Sequence, residues 1–383
     1  MRKAIIDGFR QLVSRPIYLI VMVVVPMVTA WFLIDLMREG LPLQLPTAIV
    51  DLDHTTTSRR TARNLAANEL VDVVYSPETY HDAMELLRKG KIYGFFMIPS
   101  NFERDAVSRK ETTITYYVNL AYYVPGSLSF KSFKQTAVTT TGGIMVTSLV
   151  SAGVDEGMIR NMIQPVVTQV HPYGNPWTNY SIYLSNSFIP CALQLIIFQI
   201  TAFSFLQEIK RGSSIRWIQD AGGSIVKACF GKLIPQYLIF ATVGMAMLGM
   251  LYGFSHFPLN GSTLGMVASM LLFIAASQAF ALTICSIIPN LRFALSILSL
   301  IGILSFSIAG FSFPVEQMYG GVGIFSYILP IRYYFLIYIN TALNGYELYY
   351  CRWEFVGLIV FLALPFTMLW KLKRYAYHPV YIP

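Results

Sequence analysis

The residues of this chain best equipped for chemistry are few and scattered. Five histidines, His54, His81, His171, His256 and His378, stand far apart, none with an acidic partner at the spacing of a catalytic or metal site. Asp51, Asp53 and His54 carry the residue types of a metal or phosphoryl centre. They also sit where a strand hands over to a helix beginning near Thr57, the position at which Asp caps a turn, and no further ligand occurs at suitable spacing. Ser224-Ile-Val-Lys227 has the Ser-x-x-Lys spacing of a nucleophile and its base without the companion motifs. Cys191, Cys229, Cys285 and Cys351 form neither a disulfide framework nor a zinc spacing, and all lie outside the polar part of the chain. No GxxxxGK[ST] loop is present to hold the phosphates of ATP. The expectation is a chain that is not an enzyme, with no metal and no cofactor of its own.

What the sequence has instead is polarity placed inside apolar helices. Ser187, Gln194, Thr201 and Glu208 recur every seven residues, and a straight helix drifts only about 20° per such step, so they share one stripe. Ser269 and Thr283 repeat the pattern further on, as do Ser299, Ser305 and Ser312. Polar groups in hydrocarbon face a bundle interior, a partner helix or a pathway, so the stripes read as helix-to-helix bonds or as the lining of a translocation path.

The elements that carry these residues are membrane spans. Of 383 residues 55% are hydrophobic and only 13% charged. Apolar runs at 17–36, 184–206, 233–254, 263–287, 294–314 and 354–370 reach the roughly 20 residues that cross about 30 Å of hydrocarbon. Pro26 falls inside the first, where it would kink the helix. The net charge of +8 is a membrane signature rather than a nucleic-acid one. Residues 37–183 hold thirteen Lys/Arg against thirteen Asp/Glu, whereas Arg2, Lys3, Arg10 and Arg15 flank the first run and Lys371, Lys373 and Arg374 the last. Both termini, including a 375–383 tail, are therefore expected in the cytoplasm. Residues 1–16 place Ile5, Ile6, Phe9, Leu12 and Val13 on one face, the pattern of a helix lying in the membrane interface.

Between the first two runs, residues 37–183 have a soluble composition. Strand-like 47–53, 71–76, 92–99 and 112–119 alternate with helical 58–69, 77–89 and 100–109, the mark of a small α/β domain. The uncharged stretch 135–154 is rich in Thr, Ser and Gly and reads as a long helix outside the bilayer. The fold class expected is a polytopic α-helical membrane protein with six transmembrane helices and an extracytoplasmic α/β domain inserted between helices 1 and 2.

Two connections stand out. The 207–232 loop carries Lys210, Arg211, Arg216, Lys227 and Lys232 against Glu208 and Asp220, is broken by Gly212, Gly222 and Gly223, and offers Trp217 to a docking partner. The 315–353 stretch is apolar but interrupted. With Pro314 before it and Pro330 within, it reads as a broken, partly embedded hairpin at the outer surface, where Glu316 and Arg332 serve as polar anchors.

These patterns resemble, in order, those of the ABC-2 transporter permease family. SRPIYLIVMVVVP (14–26) resembles the basic-Pro approach to the first span, and NPWTNYSIYLSNSFIP (175–190) the Asn-Pro segment before the second. QEIKRGSS (207–214) is similar to the turn into the coupling helix, with Ser213 where the family usually has Thr. GKLIP (231–235) resembles its exit, and FPVEQM…YILPIRYY (313–334) the segment before the last span. The resemblance implies the transmembrane subunit of an ABC exporter, paired with a second copy or a related permease. Glu208, Lys210, Arg211, Gly212, Arg216 and Trp217 would couple it to ABC ATPase subunits that bind ATP and Mg. It further implies a bacterial inner membrane, with residues 37–183 in the periplasm meeting an adaptor protein. The substrate expected is amphiphilic or hydrophobic. The competing reading is a membrane-anchored sensor or scaffold whose extracytoplasmic domain binds a ligand.

Overall fold

A computed structural model of the chain describes residues 2–108, 110–155, 158–159, 163 and 170–378. Residues 156–157, 160–162 and 164–169 of the expected α/β region, and 379–383 of the expected tail, lie outside the described residues. The chain divides into two compact units, Leu41–His171, and Met1–Gly40 together with Pro172–Pro383.

The smaller unit carries a four-stranded sheet, β1 (Leu45–Asp51), β2 (Val71–Tyr75), β3 (Gly94–Ile98) and β4 (Thr115–Val118), in the order β2-β1-β3-β4. β1 runs parallel to β2 and β3, and β4 runs antiparallel to β3. Alternation along β1 sends Ala48 and Val50 to one face with Phe95, Ala83 and Leu87, and Ile49 to the other with Phe96 and Leu65. Both faces are thus covered, which is why these strands read as apolar runs. Helices Thr56–Ala66, Tyr80–Arg88 and Phe102–Val107 link them, and Tyr123–Ser151 follows as one 29-residue helix that includes most of the uncharged stretch.

Asp51, Asp53 and His54 do belong to a cap. Asp51 Oδ1 accepts from the backbone N–H of Asp53 and His54. Thr55 and Ser58 form a reciprocal capping box on the helix starting at Thr56. Asp53 accepts from the Thr55 hydroxyl (2.7 Å) and the Glu103 N–H (3.0 Å). Desolvation pushes its pKa up, but these hydrogen bonds outweigh it and hold the carboxyl below its ordinary value.

Six helices of the larger unit are long and apolar enough to cross a membrane: Pro16–Leu36, Tyr180–Lys210, Ile225–Phe254, Thr263–Ile287, Leu291–Ile308 and Leu348–Tyr377, here spans 1 to 6. Their ends differ from the apolar runs because caps, not hydrophobicity, set them. Asn179 accepts from the N–H groups of Ser181 and Ile182 and starts span 2 ahead of residue 184. Ser224 accepts from Lys227 N–H and starts span 3 well before residue 233. Asn290 caps span 5, and the turn at Ala309–Gly310 ends it before residue 314. Span 1 contains a π-helical turn, Ile20–Val24, just ahead of Pro26, whose missing N–H breaks the regular ladder.

The 315–353 stretch is broken as expected. Helices Gly320–Ser326 and Pro330–Leu343 meet at 77°. Arg332 is not the interfacial anchor expected: it is buried, donating to Ser326 Oγ (3.2 Å) with its guanidinium 4.6 Å from the Tyr327 ring centre. Tyr327 and Ser326 lie in the bend itself, so the arginine fastens the corner from inside. Glu316 is exposed on a short 3-10 turn after Pro314.

Candidate functional site

One end of the helical unit collects Arg15, Arg211, Lys227 and Lys371. There the 207–232 segment is not a loop. Span 2 runs to Lys210, a short helix covers Ser214–Asp220, and span 3 is under way by Ile225. Two glycine turns make this compact. Gly212 (φ 70°) takes the left-handed conformation that ends span 2, with Ser213 N–H returning to the Glu208 carbonyl. Gly223 N–H returns to the Ile218 carbonyl in the same way after the short helix.

Folding back in this way brings Glu208 and Lys232 together. Lys232 Nζ lies 2.7 Å from Glu208 Oε1 and donates to the Ser204 carbonyl at 2.6 Å. Its ammonium also lies 5.1 Å from the centre of the Trp217 ring. Glu208 accepts further from Gln11 Nε2 (3.2 Å) and from the Ser213 hydroxyl. The two side chains are 17% and 5% exposed, so this is a buried ion pair whose other valences are met by neutral groups. It fastens spans 2 and 3, the short helix and the N-terminal helix Arg2–Val13 into one body. Ser214 adds span 6 through its bond to the Ala376 carbonyl (2.6 Å).

The N-terminal helix is held by close approach as well as by Gln11. A Cβ on Gly8 would meet the Gly231 carbonyl oxygen at 2.3 Å, and one on Gly231 would meet Ala4 Cβ at 2.8 Å. Only two backbones without side chains can pass at that separation. Ile6 and Val13 remain exposed on its other side, whereas Leu12, expected on the same face, is buried against the bundle.

Trp217 is not the exposed docking residue expected. It is half-buried, edge-on to Phe205 with ring centres 5.7 Å apart. Lys210, Arg211, Gly212, Arg216 and Lys227 are exposed around it, beside Ile215 and Phe230. Gln11, which completes the pair's surroundings, carries no signal in the sequence beyond being polar. The signal that could have found Lys232 was its position: a lysine deep in the third helix must have an acid facing it.

The polar stripe resolves into bonds between and within helices. Gln194 is a junction: its Nε2 donates to Ser305 Oγ on span 5 (3.2 Å), and its Oε1 accepts the Ile331 N–H (3.0 Å) at the start of the second hairpin helix. Ser299 accepts from Gln199, a residue off the stripe. Ser187, Ser269 and Thr283 donate to their own helices at Tyr183, Met266 and Ala279, and Ser312 to the Ser307 carbonyl. The Thr201 hydroxyl is buried without a partner among the described residues.

Six apolar helices tied by internal polar bonds, with a basic end and a separate sheet-bearing unit, define a polytopic helical membrane protein. Residues 16–371 match the family described as ABC-2 family transporter protein, and the chain belongs to that family. The match begins after the N-terminal helix that supplies Gln11. No curated protein matches the chain.

Proposed function

We propose that this chain is the transmembrane permease subunit of an ATP-driven exporter, with ABC ATPase subunits docking on the basic end. The observation that carries the reading is the Glu208–Lys232 pair. A partner pushing on the short helix Ser214–Asp220 pushes on spans 2 and 3 and the N-terminal helix together, because the buried pair joins them. Exposed Lys210, Arg211 and Arg216, with the Gly212 turn between them, supply the docking charges, while half-buried Trp217 and Glu208 transmit the displacement. Family membership supports the partnership with ATPase subunits, which would bind ATP and Mg themselves.

The rest of the assignment follows from charge and composition. Cations beside the spans favour the cytoplasmic side. The basic end and both termini then face the cytoplasm of a bacterial inner membrane, and the sheet-bearing unit faces the periplasm, where it meets an adaptor. A second copy or a related permease completes the transporter. The substrate is an amphiphilic or hydrophobic molecule moved outward. The polar residues Ser187, Gln194, Thr201, Ser269, Thr283, Ser299 and Ser305 act as helix fasteners in this reading, most plainly Gln194. The bend from Pro314 to Arg332 closes the outer end.

The test is recovery of an ATPase with the chain from its native membrane in mild detergent, followed by ATPase coupling in reconstituted vesicles. Arg211→Ala and Arg216→Ala should lower coupling while membrane insertion stays unchanged, and Glu208→Ala should do so with lower stability. Full coupling in all three would overturn the assignment of the basic end, and absence of any ATPase would favour the sensor or scaffold.

A further inference from the structure

At the end of the helical unit opposite the basic one, spans 1, 2 and 3 line an open cavity of about 1100 Å³. That exceeds the ~300–1,000 Å³ usual for a small-molecule pocket. Its wall is divided by polarity. Asp35, Arg38 and His256 stand on it with Trp31 and Trp177, while Met250 and its neighbours on span 3 are apolar. Among the described residues, none of the side chains of Asp35, Arg38 and His256 makes a hydrogen bond or an ion pair, so a carboxylate, a guanidinium and an imidazole are all uncommitted. Trp31 and Trp177 are 59% and 63% exposed. Span 1, which forms one side, has most of its surface uncovered, so the cavity borders the bilayer.

The wall is also rigid where it matters. Trp177 sits in a tight turn in which Thr178 N–H returns to the Asn175 carbonyl (3.0 Å) and Asn179 N–H to Asn175 Oδ1 (3.1 Å). Tyr180 N–H donates to the Gly40 carbonyl at 2.7 Å and so ties this turn to the exit of span 1. Span 3 closes the other side with a π-helical turn, Gly249–Phe254, after which His256 adopts a left-handed backbone (φ 51°). Such departures from the regular helix, held by their surroundings, concentrate at binding sites.

We propose that this cavity binds one zwitterionic phospholipid from the adjoining leaflet. Arg38 takes its phosphate, with His256 beside it, and Asp35 takes its ammonium, which Trp31 and Trp177 flank with their ring faces. An acyl chain lies along Met250 and the apolar side of span 1. A ligand carrying both charges fits best because the wall offers both; an anionic lipid would leave Asp35 facing a like charge. The proposal needs the bundle in a bilayer and is independent of coupling to an ATPase.

The test is native mass spectrometry of the full chain purified in micelles holding equal phosphatidylethanolamine and phosphatidylglycerol. The wild type should retain phosphatidylethanolamine in preference, one per chain. Arg38→Gln should lower that retention about tenfold, the loss of one charge-assisted bond, and Asp35→Asn should erase the preference over phosphatidylglycerol. Arg352→Gln, at the same end but stacked on Tyr349 at 4.0 Å outside the cavity, should change nothing. A wild type that holds both lipids equally, or an Arg352→Gln loss as large as that of Arg38→Gln, would overturn the proposal. So would retention unchanged in both cavity variants. Should the variants fail to stay monodisperse, phosphatidylethanolamine with a photoreactive chain must label residues 246–258 of the wild type. Labelling elsewhere only would refute the site.

Discussion

Removing one member of the Glu208–Lys232 pair should cost far more than removing both. Glu208→Gln leaves the Lys232 ammonium, 5% exposed, with the Ser204 carbonyl and two aromatic faces but no counter-ion. Lys232→Met leaves a carboxylate that is 17% exposed and still accepts from Gln11 and Ser213. Orphaning a buried charge costs about 3–5 kcal/mol, and neutralising a buried pair with groups of similar volume is close to neutral. Glu208→Gln therefore belongs at the upper end of that range and Lys232→Met at the lower end, because its residual charge keeps two donors and some water.

At roughly 2 °C per kcal/mol for a chain of this size, the single variants should lose about 6–10 °C in the temperature at which the detergent-solubilised chain stops being monodisperse. Glu208→Gln combined with Lys232→Met should recover most of that loss, giving a large favourable coupling in the double-mutant cycle. If the double variant falls by the sum of the singles, the two charges do not stabilise one another and the reasoning fails. The same double variant separates stability from coupling. It should insert and stay folded, yet couple less well to the proposed ATPase, because the ion pair no longer joins spans 2 and 3 and only neutral bonds such as Gln236 Nε2 to Ser204 Oγ remain.

Three further outcomes are expected. Gly8→Leu places a side chain against the Gly231 carbonyl, so the N-terminal helix must lift away; faster proteolysis after Arg10 and Arg15 in the folded chain would register this, and an unchanged digestion rate would count against the close approach. Gln194→Leu leaves the Ile331 N–H buried without its acceptor and should destabilise by about 1–3 kcal/mol, while Ser305→Ala, which leaves that N–H its acceptor, should cost less; equal melting losses would contradict the junction. For Asp53 the folded pKa lies below the unfolded one, so its contribution is present above the unfolded value and is lost as pH falls through the folded one. The stability difference between wild type and Asp53→Asn should thus exist at neutral pH and close in acid; a difference that widens in acid would refute the sign.

What was legible in the sequence was whatever depends on long stretches of composition. Six apolar runs, the break at Pro330 and the alternation of β1 to β4 with helices all follow from period and length. Boundaries were not legible to the residue, because they rest on single caps such as Asn179, Ser224 and Asn290. The site was half legible. Glu208 could be picked out as an acid at the end of an apolar helix, but its partner lies 24 residues on, and only the fold brings them together. From sequence Trp217 reads as exposed, since a tryptophan beside arginines in a loop has nothing local to cover it. Phe205 and Lys232, from two different helices, do so. Gln194 was visible as part of a stripe, yet the N–H it satisfies belongs to Ile331, far along the chain.

The burial of the spans says which surfaces remain to be matched. Spans 2 and 4 have 72% of their central windows buried, whereas spans 1 and 5 have 22% and span 6 has 28%. The central pair carries polar bonds to its neighbours, from Gln194 and Glu208 on span 2 and from Gln278 on span 4 to the Leu233 carbonyl, so its packing is fixed in direction as well as in area. The peripheral spans expose large apolar residues, Trp31 and Phe32 on span 1, Leu300 and Ile303 on span 5, Ile359 and Trp370 on span 6. Lipid or another chain must cover them, and neither demands a fixed register from an apolar face. A push delivered at Lys210, Arg211 and Arg216 would therefore move the polar-bonded centre as a unit. Its motion would be taken up at the outward apolar faces of spans 1 and 5, which meet lipid or another chain, and span 1 is the one that carries Trp31, Asp35 and one wall of the cavity.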